Sequence, residues 1–316
     1  MKIVFFGSSN FGVPALKAIS ATSHKIIAVV TQPDKAKGRH LFESSTAIKE
    51  TALSLGFKIY QPQKVNRSEV VKFLTDLNPD LFIVIAYGQI LGADILHIPK
   101  IFSINLHASL LPKYRGAAPI NWAVINGETK TGLTIIKMNE AMDAGEIVLN
   151  KSIAIDSSDT AVSLERKLAR EGASLLLECL EGIDKKTFQL TPQDSAEVSL
   201  APKLKKKDGL IDWHKEAQEV QNLIRGTFDW PGAFTYYKGK LLKIYKATVA
   251  QLPSCPVAQL PGEIMQVSKE GIVVVTGRRS LIIEELQLEG KRRMKAEEFI
   301  AGHKISPGDR LGYIVA

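Results

Sequence analysis

From the start of the chain to about residue 185, short apolar runs alternate with segments whose apolar positions recur every three or four residues. The first pattern predicts buried strands and the second amphipathic helices. Lys2 to Phe6 is an apolar run that stops at Gly7. Val13 to Ala21 has helical spacing, with Pro14 in the first turn, where a missing N–H is tolerated. Lys25 to Thr31 is β-branched and strand-like, and Thr46 to Leu55 is helical and stops at Gly56. Ser68 is placed to cap a helix through Leu77, with Pro79 beyond it. Asp80 to Ala86 and Phe102 to Leu106 read as strands, and Ala118 to Ile125 as a helix. Gly132 to Met138 and Glu146 to Ile155 are extended, and a helix closes the series from about Asp159 to Leu180. This order predicts an α/β, doubly wound, mostly parallel sheet. Ligands of such sheets bind beyond the carboxyl ends of the strands. Three loops lie there: the one after Ala86, Asn105 to Gly116, and Asn139 to Gly145.

The pattern then changes. Residues 187 to 206 hold Pro192 and Pro202 in a polar mixture and read as a linker. One helix follows, Glu216 to Gly226, and then short strands: Leu241 to Lys246, Gly262 to Val267, Gly271 to Thr276 and Leu281 to Leu288. Glycine and proline separate them, as in a small β-barrel. A chain of 316 residues is long for one core, so the reading is two domains, 1–186 and 207–316, joined by 187–206.

Charge divides the two parts further. From Lys203 onward there are 19 Lys and Arg against 13 Asp and Glu, whereas residues 1–202 carry 22 against 20. A nearly neutral first part and a basic second part point to a polyanionic partner for the second. No apolar run approaches the roughly 20 residues that span a bilayer, so no membrane is expected. Met1 to Gly7 is too short for a signal peptide and reads as a first strand. Cys179 and Cys255 give neither a disulfide framework nor a zinc spacing. The expectation is a cytoplasmic protein, read as a monomer.

The chemistry-bearing stretch is Asn105-Leu106-His107-Ala108-Ser109-Leu110-Leu111-Pro112-Lys113-Tyr114-Arg115-Gly116. Residues i and i+2 of a strand face the same way, so Asn105 and His107 reach one group from one strand end. An amide donor beside an imidazole suits attack on a carbonyl, where an oxyanion needs a donor and an amine must lose a proton. A strand running into a turn explains the same residues without chemistry. Asp143, in an Asp-x-Gly turn, is either turn chemistry or the carboxylate that orients the imidazole and relays the proton. Arg115 and Gly116 follow Pro112 in a constrained loop that either grips a ligand or only shapes the backbone. Gly7-Ser8-Ser9-Asn10-Phe11-Gly12 lacks the G-x-G-x-x-G spacing, which argues against a dehydrogenase. Lys35, Lys37 and Arg39 make a cationic loop, either a plain surface loop or a finger for a phosphate backbone. Lys205, Lys206 and Lys207 are either a solvated run or a second phosphate contact. No histidine has a metal-ligand partner at a useful spacing, so no metal is assigned.

These motifs converge on one family. The run from Asn105 to Ile120, Thr31-Gln32-Pro33-Asp34 with Gly38-Arg39, and Met142-Asp143-Ala144-Gly145 resemble the methionyl-tRNA formyltransferases. So do Ala201-Pro202-Lys203-Leu204, Ile211-Asp212-Trp213, Asn222-Leu223-Ile224-Arg225-Gly226 and Trp230-Pro231-Gly232-Ala233, with Gly302 and Pro307-Gly308 beyond. The resemblance runs through essentially the whole chain, in order. It implies a Rossmann-like formyltransferase fold followed by an OB-type barrel. It implies transfer of a formyl group from 10-formyltetrahydrofolate to the methionine of initiator tRNA. Asn105, His107 and Asp143 fall on the family's catalytic positions, and Ser109, Leu110, Leu111 and Pro112 on its folate-binding run. Arg39 matches a loop set against the acceptor stem, although His40-Leu41-Phe42-Glu43 is less basic than in many relatives. A formyltransferase acting on a sugar-nucleotide amine shares the catalytic strand, but it has no need of a cationic finger or a basic second domain. A non-catalytic RNA-binding protein is separated from an enzyme by Asp143→Asn, since a binder would keep its RNA affinity and have no activity to lose.

Overall fold

The computed structural model of the protein describes residues 1–37, 42–250 and 260–312, without the side chains of 36–43. The chain divides into two compact units, one of residues 1–119, 130–154 and 165–201, the other of 120–129, 155–164 and 202–316.

The first unit is built on strands β1 (Lys2–Gly7), β2 (Lys25–Val30), β5 (Ile59–Tyr60), β6 (Leu81–Ile85), β7 (Phe102–His107), β8 (Lys130–Lys137) and β9 (Ile147–Ala154). Their order is β5-β2-β1-β6-β7-β8-β9. The first five pair in parallel, and β8 and β9 add antiparallel. Ile3, Val4, Phe5 and Phe6 are all fully buried, which is the mark of a parallel strand covered on both faces. Helices α1 (Val13–Ser20), α2 (Ala47–Ser54), α3 (Ser68–Asp76) and α4 (Ala93–Leu96) occupy the crossovers. On one face Val70, Leu74 and Ile95 join Val4, Phe6, Phe82 and Val84 in a single apolar cluster. Helix α2 starts where Thr46 Oγ1 accepts the Lys49 N–H at 3.1 Å. The expected cap at Ser68 is not used: Arg67 is the capping position, no side chain caps it, and Ser68 is already helical. A two-stranded antiparallel ribbon, β3 (Lys35–Lys37) with β4 (Phe42–Ser44), stands where the sequence reads as loop. Its backbone pairing carries no apolar alternation that a sequence pattern could register.

Helices α5 (Pro119–Ile125) and α6 (Ala161–Asp184) complete the part before residue 187. Residues 187–201, linker-like in composition, pair with the first unit. Ile147 and Thr191 exchange backbone hydrogen bonds at 2.8 and 2.9 Å, and Arg115 bridges Leu200.

The second unit holds α7 (Ala217–Gly226), β10 (Ala233–Tyr237), β11 (Lys240–Val249), β12 (Ile264–Ser268), β13 (Gly271–Val275), β14 (Ser280–Leu288), β15 (Met294–Lys295) and α8 (Ala296–Gly302). The antiparallel strand order is β10-β11-β14-β13-β12, with β15 on β14. Residues 308–312 tie the two ends together: Leu311 bridges Tyr237 of β10, and Leu311 N donates to Gly262 O just before β12 at 2.8 Å. That closure makes a small barrel and leaves few free edges. Ala217, Val220 and Ile224 of α7 sit in its core with Trp213, Ile244, Ile264 and Phe299.

Candidate active site

The site forms at the carboxyl end of β7. Asn105 and His107 lie on one face of that strand, and β8 runs beside them with Ile136 opposite Asn105 and Thr134 opposite His107. The Asn139–Gly145 loop brings Asp143 to the same place. Asn105 Nδ2 donates to Asp143 Oδ1 at 3.4 Å, and His107 Nδ1 lies 3.6 Å from Asp143 Oδ2. The backbone N–H of Gly116 donates to Asp143 Oδ2 at 2.9 Å. One carboxylate therefore faces an amide, an imidazole and a peptide N–H, and its side chain is 13% exposed. The other ring nitrogen, His107 Nε2, is 2.9 Å from the carbonyl of Tyr114. A carbonyl only accepts, so that bond puts a proton on Nε2 and leaves the Nδ1 edge for the carboxylate.

The backbone around these groups is unusual in the way a site demands. Asp143 has φ +51° and Tyr114 φ +62°, both in the left-handed region that non-glycine residues enter at a cost of order 1 kcal/mol or more. Gly116 has φ +127°, and a Cβ there would stand 2.6 Å from the Ala201 carbonyl oxygen. Only glycine can bring this N–H to Asp143. Gly145 is constrained by close approach, since a Cβ would meet the Lys137 oxygen at 1.8 Å. The Asp-x-Gly spacing therefore lets the turn lie against β8, besides serving ordinary turn chemistry.

The loop after His107 is held by its own polar atoms. Thr134 Oγ1 donates to Ser109 O at 2.7 Å and accepts the Leu111 N–H at 3.1 Å. Ser109 is fully buried and its Oγ donates to Lys113 O at 2.6 Å. Of the four residues read as a folate-binding run, Ser109 and Leu111 are buried, whereas Leu110 and Pro112 are half-buried. The first pair shapes the loop, and the second offers apolar surface. Arg115 is anchored: its Nε and Nη2 donate to Gln193 Oε1 at 3.0 and 2.6 Å.

The candidate RNA-binding residues lie elsewhere. Lys35 is exposed at the root of the β3–β4 ribbon. Lys37 is the last residue of β3, and its side chain lies outside the described residues, as does the whole of Arg39. The ribbon's root is anchored at Asp34, whose carboxylate pairs with Lys49 and accepts from Gln61 Nε2 at 3.0 Å. The Lys49 bond and then the Gln61 bond hold this carboxyl below its usual range. Lys205, Lys206 and Lys207 are exposed at the short 3-10 turn that opens the second unit's barrel segment. Among the described residues no group of three His, Cys, Asp or Glu could hold a metal ion, and no helix is long and apolar enough to cross a membrane.

Thr134, Tyr114, Gln193 and Gly116 belong to the site, and nothing in the sequence marks them for the bonds they make. Tyr114 acts through its carbonyl and Gly116 through its N–H, which side-chain chemistry cannot signal. Gln193 sits in the linker-like stretch, and Thr134 looks like one more β-branched strand residue.

A family model described as formyl transferase matches residues 1–180, and one described as formyl transferase, C-terminal domain, matches 203–304. A methionyl-tRNA formyltransferase of Geobacter metallireducens is 47% identical over 313 residues, covering 99% of each chain. That of Acetivibrio thermocellus is 44% identical over 312 residues, covering 99% of this chain and all of its own. Among solved structures, WlaRD, a sugar 3N-formyl transferase, superposes with a TM-score of 0.66 at 20% identity, covering 92% of this chain and 99% of its own. HypX from Aquifex aeolicus in complex with tetrahydrofolic acid gives 0.61 at 16%, and this chain spans about half (51%) of its length. At such identities the solved structures speak for the fold alone. The matched models and the end-to-end identity show that the chain belongs to the methionyl-tRNA formyltransferase family.

Proposed function

We propose that this chain transfers the formyl group of 10-formyltetrahydrofolate to the α-amino group of methionine on initiator methionyl-tRNA, giving N-formylmethionyl-tRNA. The observation that carries the choice of substrate is identity of 43–47% to methionyl-tRNA formyltransferases that runs through both units, not the catalytic unit alone. The sugar-nucleotide alternative is not favoured, because the sugar formyltransferases resemble the chain only at 20% identity or below.

The site supports a simple reaction path. The neutral amine attacks the formyl carbon, and a C–N bond forms while the carbonyl oxygen gains charge. Asn105 and His107, both set against the Asp143 carboxylate at the end of one strand, are the groups read to stabilise that oxygen. Fixed donors there lower the barrier. Asp143 accepts the proton that the amine sheds. That proton passes, directly or through water, to N10 of the folate as the C–N10 bond breaks. Bonds and protons balance: one N–H and one N–CHO are exchanged for another pair. Donors polarise the carbonyl, so the path uses no metal. Leu110 and Pro112 offer the apolar side of the folate site, and Ser109 and Leu111 set its backbone. Holding both substrates supplies much of the rate through proximity.

The choice of residues that would contact the tRNA rests on charge. Lys35, Lys37 and Arg39 are the proposed phosphate contacts from the first part of the chain, and Lys205, Lys206 and Lys207 those from the second. The protein acts in the cytoplasm as a monomer. The test is formyl transfer to initiator methionyl-tRNA beside methionyl elongator tRNA and free methionine. Product with the initiator alone is expected. No product with any of the three, while folate binds, would transfer the reading to another amine.

A further inference from the structure

Gln193 lies outside both segments matched by the formyl transferase models, which end at residue 180 and resume at 203. It is also the one residue between 191 and 197 that is not exposed. Its side-chain amide is fully used. Nε2 donates to the backbone carbonyls of Asp143 at 2.8 Å and Gly145 at 2.7 Å. Oε1 accepts from two nitrogens of Arg115. Carbonyls only accept and a guanidinium only donates, so the amide fits one way round.

The stretch that carries Gln193 joins the two loops of the site. At one end, Thr191 pairs with Ile147 just after the Asp143 turn. At the other, Ser199 Oγ accepts the Tyr114 N–H at 2.9 Å, Ser199 O accepts the Arg115 N–H at 2.9 Å, and Ala201 N donates to Arg115 O at 2.7 Å. Gln193 is the side chain that bonds to both loops from this stretch. Asp143 needs such a hold. Its backbone is left-handed, and the reach of its carboxylate to Asn105 and His107 depends on that turn staying put. Tyr114, whose carbonyl fixes the His107 ring, precedes Arg115 directly.

We propose that Gln193 is a positioning residue for formyl transfer: by bonding the Asp143 turn and Arg115 at once, it sets the carboxylate against His107 and Asn105. The inference rests on the proposed role of Asp143. Gln193 touches no reacting atom and acts through the two loops it joins.

The test uses the full chain with Gln193→Glu. This variant keeps the size and the Arg115 partner but loses both donors to the Asp143 turn and sets a carboxylate oxygen against two carbonyls. kcat for formylation of initiator methionyl-tRNA should fall about tenfold or more, since small misplacements of reacting groups carry penalties of that order. KM for both substrates should stay within about twofold, because ground-state binding is untouched. In the substrate-free protein, the His107 ring 15N and 1H signals should move in the same direction as in Asp143→Asn. Gln193→Met, which removes the donors without adding charge, carries the same test if Gln193→Glu lowers Tm. A variant with wild-type Tm, wild-type kcat and unmoved His107 signals overturns the proposal. If the wild type itself formylates no methionyl-tRNA, the functional reading fails, and the His107 signals still decide whether Gln193 positions Asp143.

Discussion

The two regions assigned to chemistry and to RNA are built in opposite ways. Around Asn105, His107 and Asp143 the groups are partly or fully buried, and each is held by a named neighbour: Gly116 N–H on Asp143, Tyr114 O on His107, Thr134 on the loop between them. Lys35 and Lys205 to Lys207 are exposed. The first arrangement spends conformational freedom before substrate arrives, which is what preorganised catalysis requires. The second leaves long cationic side chains in water, where they attract a phosphate backbone and are screened by salt. Rate and affinity should therefore respond to different mutations.

The largest separation is expected at the strand end. Asn105→Ala or His107→Ala should lower turnover by on the order of a hundredfold or more, the range for losing an oxyanion donor or an acid–base group. The dissociation constant for tRNA, measured by filter binding, should be unchanged. Turnover near wild type in either variant would remove that residue from the mechanism.

The converse variant replaces Lys205, Lys206 and Lys207 by Ala together. tRNA binding should weaken about tenfold near 0.1 M salt, and the log–log salt slope should flatten by roughly 0.7–0.9 for each phosphate that the lysines no longer neutralise. The single-turnover rate at saturating tRNA should hold. An unchanged slope would make the three lysines a solvated surface only.

A smaller effect sharpens the contrast inside the first unit. Thr134→Val keeps shape but leaves Ser109 O and Leu111 N without their partner. The cost should be about 1–3 kcal/mol by denaturant unfolding, as for buried groups left unsatisfied. The KM for the folate donor should rise, with tRNA affinity unmoved. A stability equal to wild type would mean that water replaces the hydroxyl.

How legible these features are in the sequence follows their physics. The parallel sheet is written in continuous apolar runs such as Ile3 to Phe6 and Leu81 to Ile85, and the spacing of Asn105 and His107 on one strand places them together by alternation alone. β8 and β9 read correctly as strands, whereas their antiparallel direction depends on connections that periodicity does not report. β10 is five residues long and follows Trp230-Pro231-Gly232, so its signal is short and masked by turn residues. The ends of the barrel strands shift by a residue or more, as for β11, which runs to Val249. Within the site, side-chain chemistry points to Asn105, His107 and Asp143. The resemblance adds the folate run and the direction of transfer. The hold on Asp143 comes from backbone groups and from Gln193, whose bonds are made by tertiary approach across 50 residues of sequence. No local pattern encodes such an approach. Arg115 shows the limit from the other side: its surroundings in sequence fit ligand or scaffold equally, and its two bonds to Gln193 favour scaffold.

The central claim is that Asp143 serves the chemical step and not the capture of tRNA. The most direct measurement is the single-turnover rate of formyl transfer from 10-formyltetrahydrofolate by Asp143→Asn at saturating initiator methionyl-tRNA, with tRNA affinity determined on the same preparation. The account predicts a rate lower by on the order of a hundredfold or more with affinity unchanged. A rate within about twofold of wild type, or a loss explained entirely by weaker tRNA binding, would contradict it.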